Sequence, residues 1–193
     1  MIKRVFVLGM TALMLVACGG EAGKVNKDEF EGKIGELPEC PYVAGEANIH
    51  VVQKSDGKVA TDYEAKYEYA KQNGEWDVAN SSGDTNQLTS FANAYEHTLA
   101  LYTASIGNYM EYLENPQLTY YVNGETYGLK LIGKLDYSQI VASLKGKLDQ
   151  TLKLTWDKYG MLQKWDLKAS GKLEYAGQKI SYEETDLITC SWR

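Results

Sequence analysis

Hydrophobic and polar residues alternate with a period of two over most of the chain beyond residue 47, and this alternation predicts β-strands. Residues 63–69 show it most clearly, because tyrosine and alanine occupy one face and charged residues occupy the other. The dipeptides Asp56-Gly57, Asn73-Gly74 and Asn123-Gly124 separate successive strands, and such pairs are typical of tight hairpin turns. We therefore expect an antiparallel sheet of about seven to nine strands.

One segment follows a helical period instead. Over residues 86–113 hydrophobic side chains recur every three or four positions, which predicts one long amphipathic helix. Gly107 favours a kink or a break within it, and Asn115-Pro116 ends it. Its apolar stripe begins with Leu88, Phe91, Tyr95, Leu99, Tyr102 and Ile106.

A short helix is expected near the start of the folded part, because Asn26 can cap a helix that Asp28 and Glu29 favour by their charge. Residues 136–146 are compatible with either a helix or a strand. The predicted fold class is α+β: a curved antiparallel β-sheet packed on one long amphipathic helix plus a short N-terminal helix.

The first 17 residues have the composition of an export signal. Lys3-Arg4 precede an apolar run over residues 5–16, which has the length of a secretory signal and is too short to span a bilayer. The run ends in Leu15-Val16-Ala17-Cys18, which resembles the lipobox of bacterial lipoproteins. An ordinary signal peptide or an apolar first strand is the alternative.

The lipobox resemblance implies cleavage before Cys18, acylation of that residue and a mature protein anchored to a membrane by lipid. It divides the chain into a signal peptide (1–17), a lipidated tether (18–24) and a single extracytoplasmic α+β domain (25–193). The expected location is the cell envelope, at the outer membrane or the cell surface according to the envelope type.

The charge of the mature chain disfavours one class of binding partner. Removal of residues 1–17 leaves 18 Lys and Arg against 26 Asp and Glu, a formal charge of −8. Nucleic acid is therefore an unfavourable partner, since clustered Lys and Arg bind its phosphates.

With Cys18 assigned to lipid, Cys40 and Cys190 form an even pair, and we expect a disulfide between them in an oxidising compartment. Two free thiols are the alternative.

The sequence carries no recognisable catalytic or metal-binding motif. His50 and His97 are its two histidines, and neither belongs to a zinc or nucleophile motif. Glu183, Glu184 and Asp186 cluster late in the chain, but a calcium site needs further oxygen ligands from a tight loop, so they are interpreted as a solvated strand face. We therefore predict no catalytic residue, no metal site, no cofactor and no enzymatic activity.

Tyrosine is unusually frequent, with 15 Tyr and 4 Trp against 3 Phe. These side chains suit recognition faces and half-wet cavities, because they combine apolar area with a polar group. They equally fill the cores of sheets. Those on predicted strands are Tyr63, Tyr67, Tyr69, Trp76, Tyr120, Tyr121, Trp156 and Trp165.

The order of elements resembles that of half-barrel lipoprotein carriers of the LolA and LppX type. The lipobox, the short acidic helix, the hairpin at Lys-Gln-Asn-Gly-Glu-Trp (71–76) and the turn at Trp-Asp-Lys-Tyr-Gly-Met-Leu (156–162) carry this resemblance. It implies a half-barrel-like sheet with a lipid-sized cavity between sheet and helix.

Two functional hypotheses follow. The first is binding of an apolar ligand or lipid in that cavity, lined by Leu88, Phe91, Tyr95, Leu99, Tyr102 and Ile106. The second is a surface recognition module that binds a glycan or an envelope protein through strand Tyr and Trp residues. The membrane is a partner in both cases through the lipid anchor. A cavity of several hundred Å³ between sheet and helix favours the first hypothesis, and a filled core favours the second.

Overall fold

The computed structural model describes residues 23–89 and 98–193. Nine strands form one antiparallel sheet in the order β1-β5-β6-β7-β8-β9-β2-β3-β4. The elements are β1 (Lys24–Val25), α1 (Lys27–Gly35), β2 (Ala44–Ser55), β3 (Lys58–Gln72), β4 (Glu75–Gly83), α2 (Leu99–Met110), β5 (Leu113–Asn123), β6 (Thr126–Asp136), β7 (Leu144–Trp156), β8 (Leu162–Tyr175) and β9 (Gln178–Trp192).

The sheet consists of two consecutive runs of hairpins that meet at one strand pair. Strands β2 to β4 form one run, and strands β5 to β9 form the other. The pairing of β9 with β2 joins the two runs over eleven residue pairs, from Gly45–Trp192 to Ser55–Tyr182. The last strand of the chain therefore lies inside the sheet and not at its edge.

Most hairpin turns form at the expected dipeptides. Asp56-Gly57 and Asn73-Gly74 both have positive φ at each residue, as the mirror-image turns of β-hairpins require. The turn near Asn123 is displaced by one residue, since β5 includes Asn123 and the positive φ of 59° falls on Gly124.

One face of the sheet, called here the inner face, carries the hydrophobic core in two main parts. The first part lies with α1 and α2 on strands β5 to β8 and contains Phe30, Leu99, Ile106, Leu131 and Trp156 among others. The second part contains Ile49, Tyr67, Leu88 and Ile188 among others. Trp165 and Cys190 contact both parts, so the core is continuous across the sheet.

The short N-terminal helix forms where its capping residues predict. The side chain of Asn26 accepts a hydrogen bond of 2.9 Å from the backbone N–H of Glu29. Phe30 then points into the core with no exposed surface, and its ring centroid lies 4.8 Å from that of Tyr120. This contact fixes α1 against β5.

The predicted α+β fold class, with one long amphipathic helix, is wrong. The described part of the chain is mostly β, and the two α-helices in it are short. α2 spans Leu99–Met110, whereas Leu113, the expected end of the long helix, begins β5 and pairs with Leu135. Residues 90–97, which belong to the predicted helix, lie outside the described residues.

Contacts with the sheet hold residues 85–88, the start of the predicted long helix, in a turn. The hydroxyl of Tyr67 donates hydrogen bonds to the backbone oxygens of Thr85, at 3.3 Å, and Leu88, at 3.1 Å. Leu88 is 5 % exposed in the second part of the core. Burial of one leucine by a turn thus produces part of the apolar spacing that was interpreted as helical.

The ambiguous residues 136–146 form a short 3₁₀ turn and the beginning of a strand. Asp136 caps the turn at Tyr137–Gln139, since its Oδ1 accepts from the Ser138 N–H at 3.1 Å. Strand β7 begins at Leu144. The predicted export signal (1–17), Cys18 and most of the predicted tether lie outside the described residues.

Candidate functional site

The residues predicted to line a ligand cavity separate into different parts of the core. Leu99 is fully buried and Ile106 is 8 % exposed, both in the first part of the core. Tyr102 lies between Trp156 and Trp165, with 5.7 Å between its ring centroid and each of theirs. Leu88 belongs to the second part. Phe91 and Tyr95 lie outside the described residues.

A group of polar side chains interrupts the apolar inner face. We call it the inner polar cluster; it comprises Gln53, Tyr109, Gln150, Tyr182, Glu184 and Asp186. Strand alternation produces it, because the even-numbered positions of β9 share a face with the buried Ile188. Glu184 is paired with Gln53 on β2 and with Ala169 on β8, and Ala169 is paired with Gln150 on β7. Ala169, which lies between Glu184 and Gln150 in this register, is itself buried.

Hydrogen bonds fix most members of the inner polar cluster. Gln53 donates to Glu184 at 2.9 Å, and the Tyr182 hydroxyl donates to the second oxygen of the same carboxylate at 3.2 Å. The Tyr109 hydroxyl donates to the side-chain oxygen of Gln150 at 2.6 Å. Since Tyr109 belongs to the last turn of α2, this bond ties the end of the helix to the middle of β7.

Asp186 is the member whose hydrogen bonding is incomplete. Its Oδ1 atom is buried and accepts no hydrogen bond from the described residues. Burial, and then the negative charge of Glu184, raise the pKa of Asp186 from 3.8 to about 7. No lysine, arginine or histidine in the described part of the chain forms a salt bridge with Asp186 or Glu184.

These geometries define what the cluster can do chemically. Near neutral pH it presents one or two negative charges on a partly apolar face, and buried charges of this kind are normally compensated by a partner of opposite sign. Glu184 and Asp186 keep intermediate exposure, so a cationic group from outside can reach them. The cluster is therefore suited to binding a cation or a strong hydrogen-bond donor.

The interpretation of Glu183, Glu184 and Asp186 as one solvated face is wrong for two of the three residues. Only Glu183 is exposed, whereas the other two face the core side of the sheet. The signal in the sequence was the alternation itself: Tyr182, Ile188 and Trp192 are the even-numbered neighbours of Glu184 and Asp186. The charge of Glu184 and Asp186 suggested solvent exposure, although their positions in the alternation place them on the core face.

Of the two histidines, only His50 belongs to the described residues, and it lies on the outer face of the sheet. His50 lies on β2 with its Nε2 2.8 Å from a carboxylate oxygen of Asp62, and His97 lies outside the described residues. Within residues 23–89 and 98–193, no group of three or more His, Cys, Asp or Glu side chains is arranged to hold a metal ion.

The two cysteines of the domain are free thiols in the structure, so it does not contain the expected disulfide. Cys190 lies on β9 beside Ala47 of β2 and contacts both parts of the core. Burial raises the pKa of the Cys190 thiol to about 12. Cys40 is half-buried in the segment between α1 and β2.

Seven of the eight strand aromatics singled out from the sequence lie in the core or pack against it, and Tyr121 is the exception. Tyr67, Tyr69 and Trp156 are buried, and the other five predicted strand aromatics are half-buried. Trp192, which was not singled out from the sequence, has its ring centroid 5.8 Å from that of Tyr69 and 5.3 Å from that of Trp76. Its indole donates to the backbone oxygen of Leu162 at 2.7 Å.

Comparison with known proteins adds no functional information. No protein family and no curated protein matches the sequence. Of the helices in the described ranges, none has the length and apolar character needed to cross a bilayer.

Proposed function

We propose that the protein is a lipid-anchored, non-enzymatic binding domain of the cell envelope, and that the inner polar cluster binds the cationic group of an amphiphilic ligand. The carboxyl group of Asp186 carries this proposal, because it is half-buried and because, among residues 23–89 and 98–193, its Oδ1 has no hydrogen-bond partner and no basic side chain forms a salt bridge with it. The proposal refines the sequence-based hypothesis of an apolar ligand by giving that ligand a charged end.

Charge favours a cation over other head groups. Glu184 already accepts from Gln53 and Tyr182, whereas the buried Oδ1 of Asp186 can still accept. A primary ammonium group placed between the two carboxylates would form charge-assisted hydrogen bonds, which are about twice as strong as neutral ones. An anionic head group would instead add to the negative charge of the site.

Apolar and aromatic surfaces beside the carboxylates favour an amphiphile over a small cation. Asp186 is flanked by Val51 on β2 and by Leu167 on β8. The rings of Tyr182 and Tyr137 lie near Glu184 with their centroids 5.7 Å apart. Such rings attract both hydrocarbon and cations.

The proposal is tested with two probes that share a tail and differ in charge. The chain from residue 18 onward with Cys18→Ser cannot be acylated and permits titration without detergent. We expect octylamine to bind, and octanoate to bind about tenfold more weakly or not at all. Calorimetry at pH 8 measures both affinities.

Two positions on opposite faces of β9 supply the matched variants. Asp186→Asn should weaken octylamine binding about tenfold, because it removes a charge-assisted contact. Glu183→Gln removes the neighbouring charge on the opposite face and should leave the affinity within about twofold. Equal affinity for octylamine and octanoate, or an equal effect of the two substitutions, would contradict the proposal.

A further inference from the structure

A groove with a volume of about 450 Å³ lies on the outer face of the sheet, opposite the inner polar cluster. Asn48 and His50 of β2, Glu64 and Lys66 of β3, and Leu187 and Thr189 of β9 line it. The volume falls in the range of small-molecule sites. Because these side chains alternate along their strands with core residues, the groove is independent of the proposed inner-face site.

The end of β4 builds one side of the groove. Gly83, with φ of +83°, lies so close to β3 that a Cβ atom there would meet the backbone oxygen of Glu64 at 2.2 Å. The backbone N–H of Asp84 donates to that oxygen at 2.7 Å, and the Asp84 side chain accepts from the Glu64 N–H at 3.1 Å. These bonds hold Ser82, which also lines the groove, against β3.

The charged groups around the groove are already paired. The Lys66 ammonium lies 2.8 Å from Glu46 and 3.2 Å from Glu68. His50 lies 2.8 Å from Asp62 and 3.9 Å from Glu64. An anionic ligand therefore finds its nearest cations occupied by carboxylates, which disfavours its binding.

Neutral hydrogen-bonding groups remain available to a ligand. Thr189 and Ser82 are exposed and contribute hydroxyl groups. Asn48 uses its amide nitrogen to donate to Glu46 at 2.8 Å, which leaves its side-chain oxygen as an acceptor. Leu187 lies half-exposed among them and offers apolar contact.

We propose that this groove binds a neutral oligosaccharide. A sugar ring combines many hydroxyl donors and acceptors with an apolar C–H face, and the groove offers complementary hydroxyl, amide and leucine groups. The binding strength would come from hydrogen bonds exchanged with water, each contributing modestly. Ligand and site are both different from those of the inner polar cluster.

The test uses the full lipid-anchored protein in a sugar-free detergent. Maltotriose is the neutral probe and trigalacturonate is its acidic counterpart, and saturation-transfer NMR measures binding of each up to tens of millimolar. We expect maltotriose to bind with a millimolar Kd and trigalacturonate to bind about tenfold more weakly. Binding of trigalacturonate alone, or of neither sugar, would overturn the proposal.

Two tryptophan substitutions on one strand locate the site. Thr189→Trp should fill the groove and weaken maltotriose binding about tenfold or more. Thr185→Trp lies on the same outer face of β9, is likewise exposed and is absent from the groove lining, so it should leave binding within about twofold. Asn48→Ala, which adds no bulk, should also weaken binding. Equal effects of the two tryptophans, or no effect of Asn48→Ala and Thr189→Trp, would refute this location.

Discussion

At the residue scale, the Asp186 carboxyl is half-buried between apolar side chains of the two neighbouring strands. Its neighbours across the sheet are Val51 and Leu167, and its pKa of about 7 reflects burial first and the charge of Glu184 second. A carboxyl with a raised pKa binds more protons when folded than when unfolded. Its neutral form therefore stabilises the folded state, and this stabilisation is lost as the pH rises through about 7.

This linkage predicts the pH dependence of the free energy of unfolding. Asp186→Asn keeps the shape of the neutral carboxyl at every pH. Relative to the natural chain it should be nearly neutral near pH 4 and should stabilise the protein by about 1–3 kcal/mol at pH 8, a range reduced to allow for partial solvent exposure. Urea unfolding between those pH values measures the difference. Glu183→Gln should show no such trend, and a flat difference for Asp186→Asn would contradict the raised pKa.

The two domain cysteines should differ in reactivity. Both side chains have intermediate exposure, but burial raises the pKa of the Cys190 thiol to about 12, and a thiol of high pKa holds little thiolate. Cys190 should therefore react with iodoacetamide much more slowly in the folded protein than after unfolding. Cys40 is half-buried and should react in the folded protein. Mass spectrometry of digested peptides measures both rates, with Cys40→Ser as the control for peptide assignment. Failure of both thiols to react without a reductant would reveal the disulfide that the structure lacks.

At the element scale, α2 packs on strands β5 to β8 through only a few of its side chains. Leu99 and Ile106 enter the core from this helix, and the Tyr109–Gln150 hydrogen bond holds its last turn. The side chain of Thr103 bonds back to the Leu99 oxygen at 3.0 Å. Packing of these few side chains therefore decides whether the helix stays on the sheet.

Truncation of one helical leucine tests how completely the core is filled. Leu99→Ala should destabilise the fold by about 2–5 kcal/mol, because the fully buried side chain would leave a cavity. Ala104→Ser on the exposed side of the same helix should change stability by less than about 0.5 kcal/mol. Thermal and urea unfolding measure both. A loss below about 1 kcal/mol for Leu99→Ala would indicate a loosely filled site and would favour the apolar-cavity hypothesis.

The strands were more predictable than the helices, for a physical reason. Period-two alternation and positive-φ turns are local properties, so Asp56-Gly57 and Asn73-Gly74 marked their hairpins correctly. The stripe from Leu88 onward mixed a turn, residues outside the described ranges and one short helix. Apolar residues at helical spacing show only that side chains are buried at those intervals, and a helix is not the only structure that buries them. Leu88 is buried by a turn that is hydrogen-bonded to Tyr67.

The inner polar cluster was harder to predict because it depends on pairing between distant strands. Gln53 and Glu184 are 131 positions apart in the chain and meet only through the β2–β9 register. Polar side chains of this kind look like ordinary surface residues in the sequence. The alternation of Glu184 and Asp186 with Ile188 and Trp192 along β9 indicates that they share the core face of the sheet. It does not indicate which side chains of other strands they meet.

At the scale of the whole molecule, the proposed lipid anchor precedes a domain whose first described strand lies at one edge of the sheet. Strand β1 (Lys24–Val25) pairs with Tyr120 and Tyr121 of β5. Five residues separate Cys18 from that strand, and their number and Gly-rich composition are typical of a short linker. We expect this edge to lie nearest the membrane.

Loss of the anchoring residue tests this arrangement. Cys18→Ala in the full chain should move the protein from the membrane fraction to the soluble extracytoplasmic fraction, because acylation supplies the hydrophobic attachment. Fractionation with immunodetection measures the shift, and Cys40→Ala should remain with the membrane. Equal partitioning of the two variants, or an unmodified mass for the peptide that contains Cys18, would contradict lipid anchoring.

The central position of β9 has a consequence for the order of events during synthesis. The β2–β4 hairpins are made early, but their neighbour in the sheet is the final strand of the chain. Contacts between segments so distant in the chain form late and slowly. The nascent polypeptide thus cannot join its two runs of hairpins until β9 has left the ribosome. Until then it stays open enough to pass through the translocation channel that the proposed export would require.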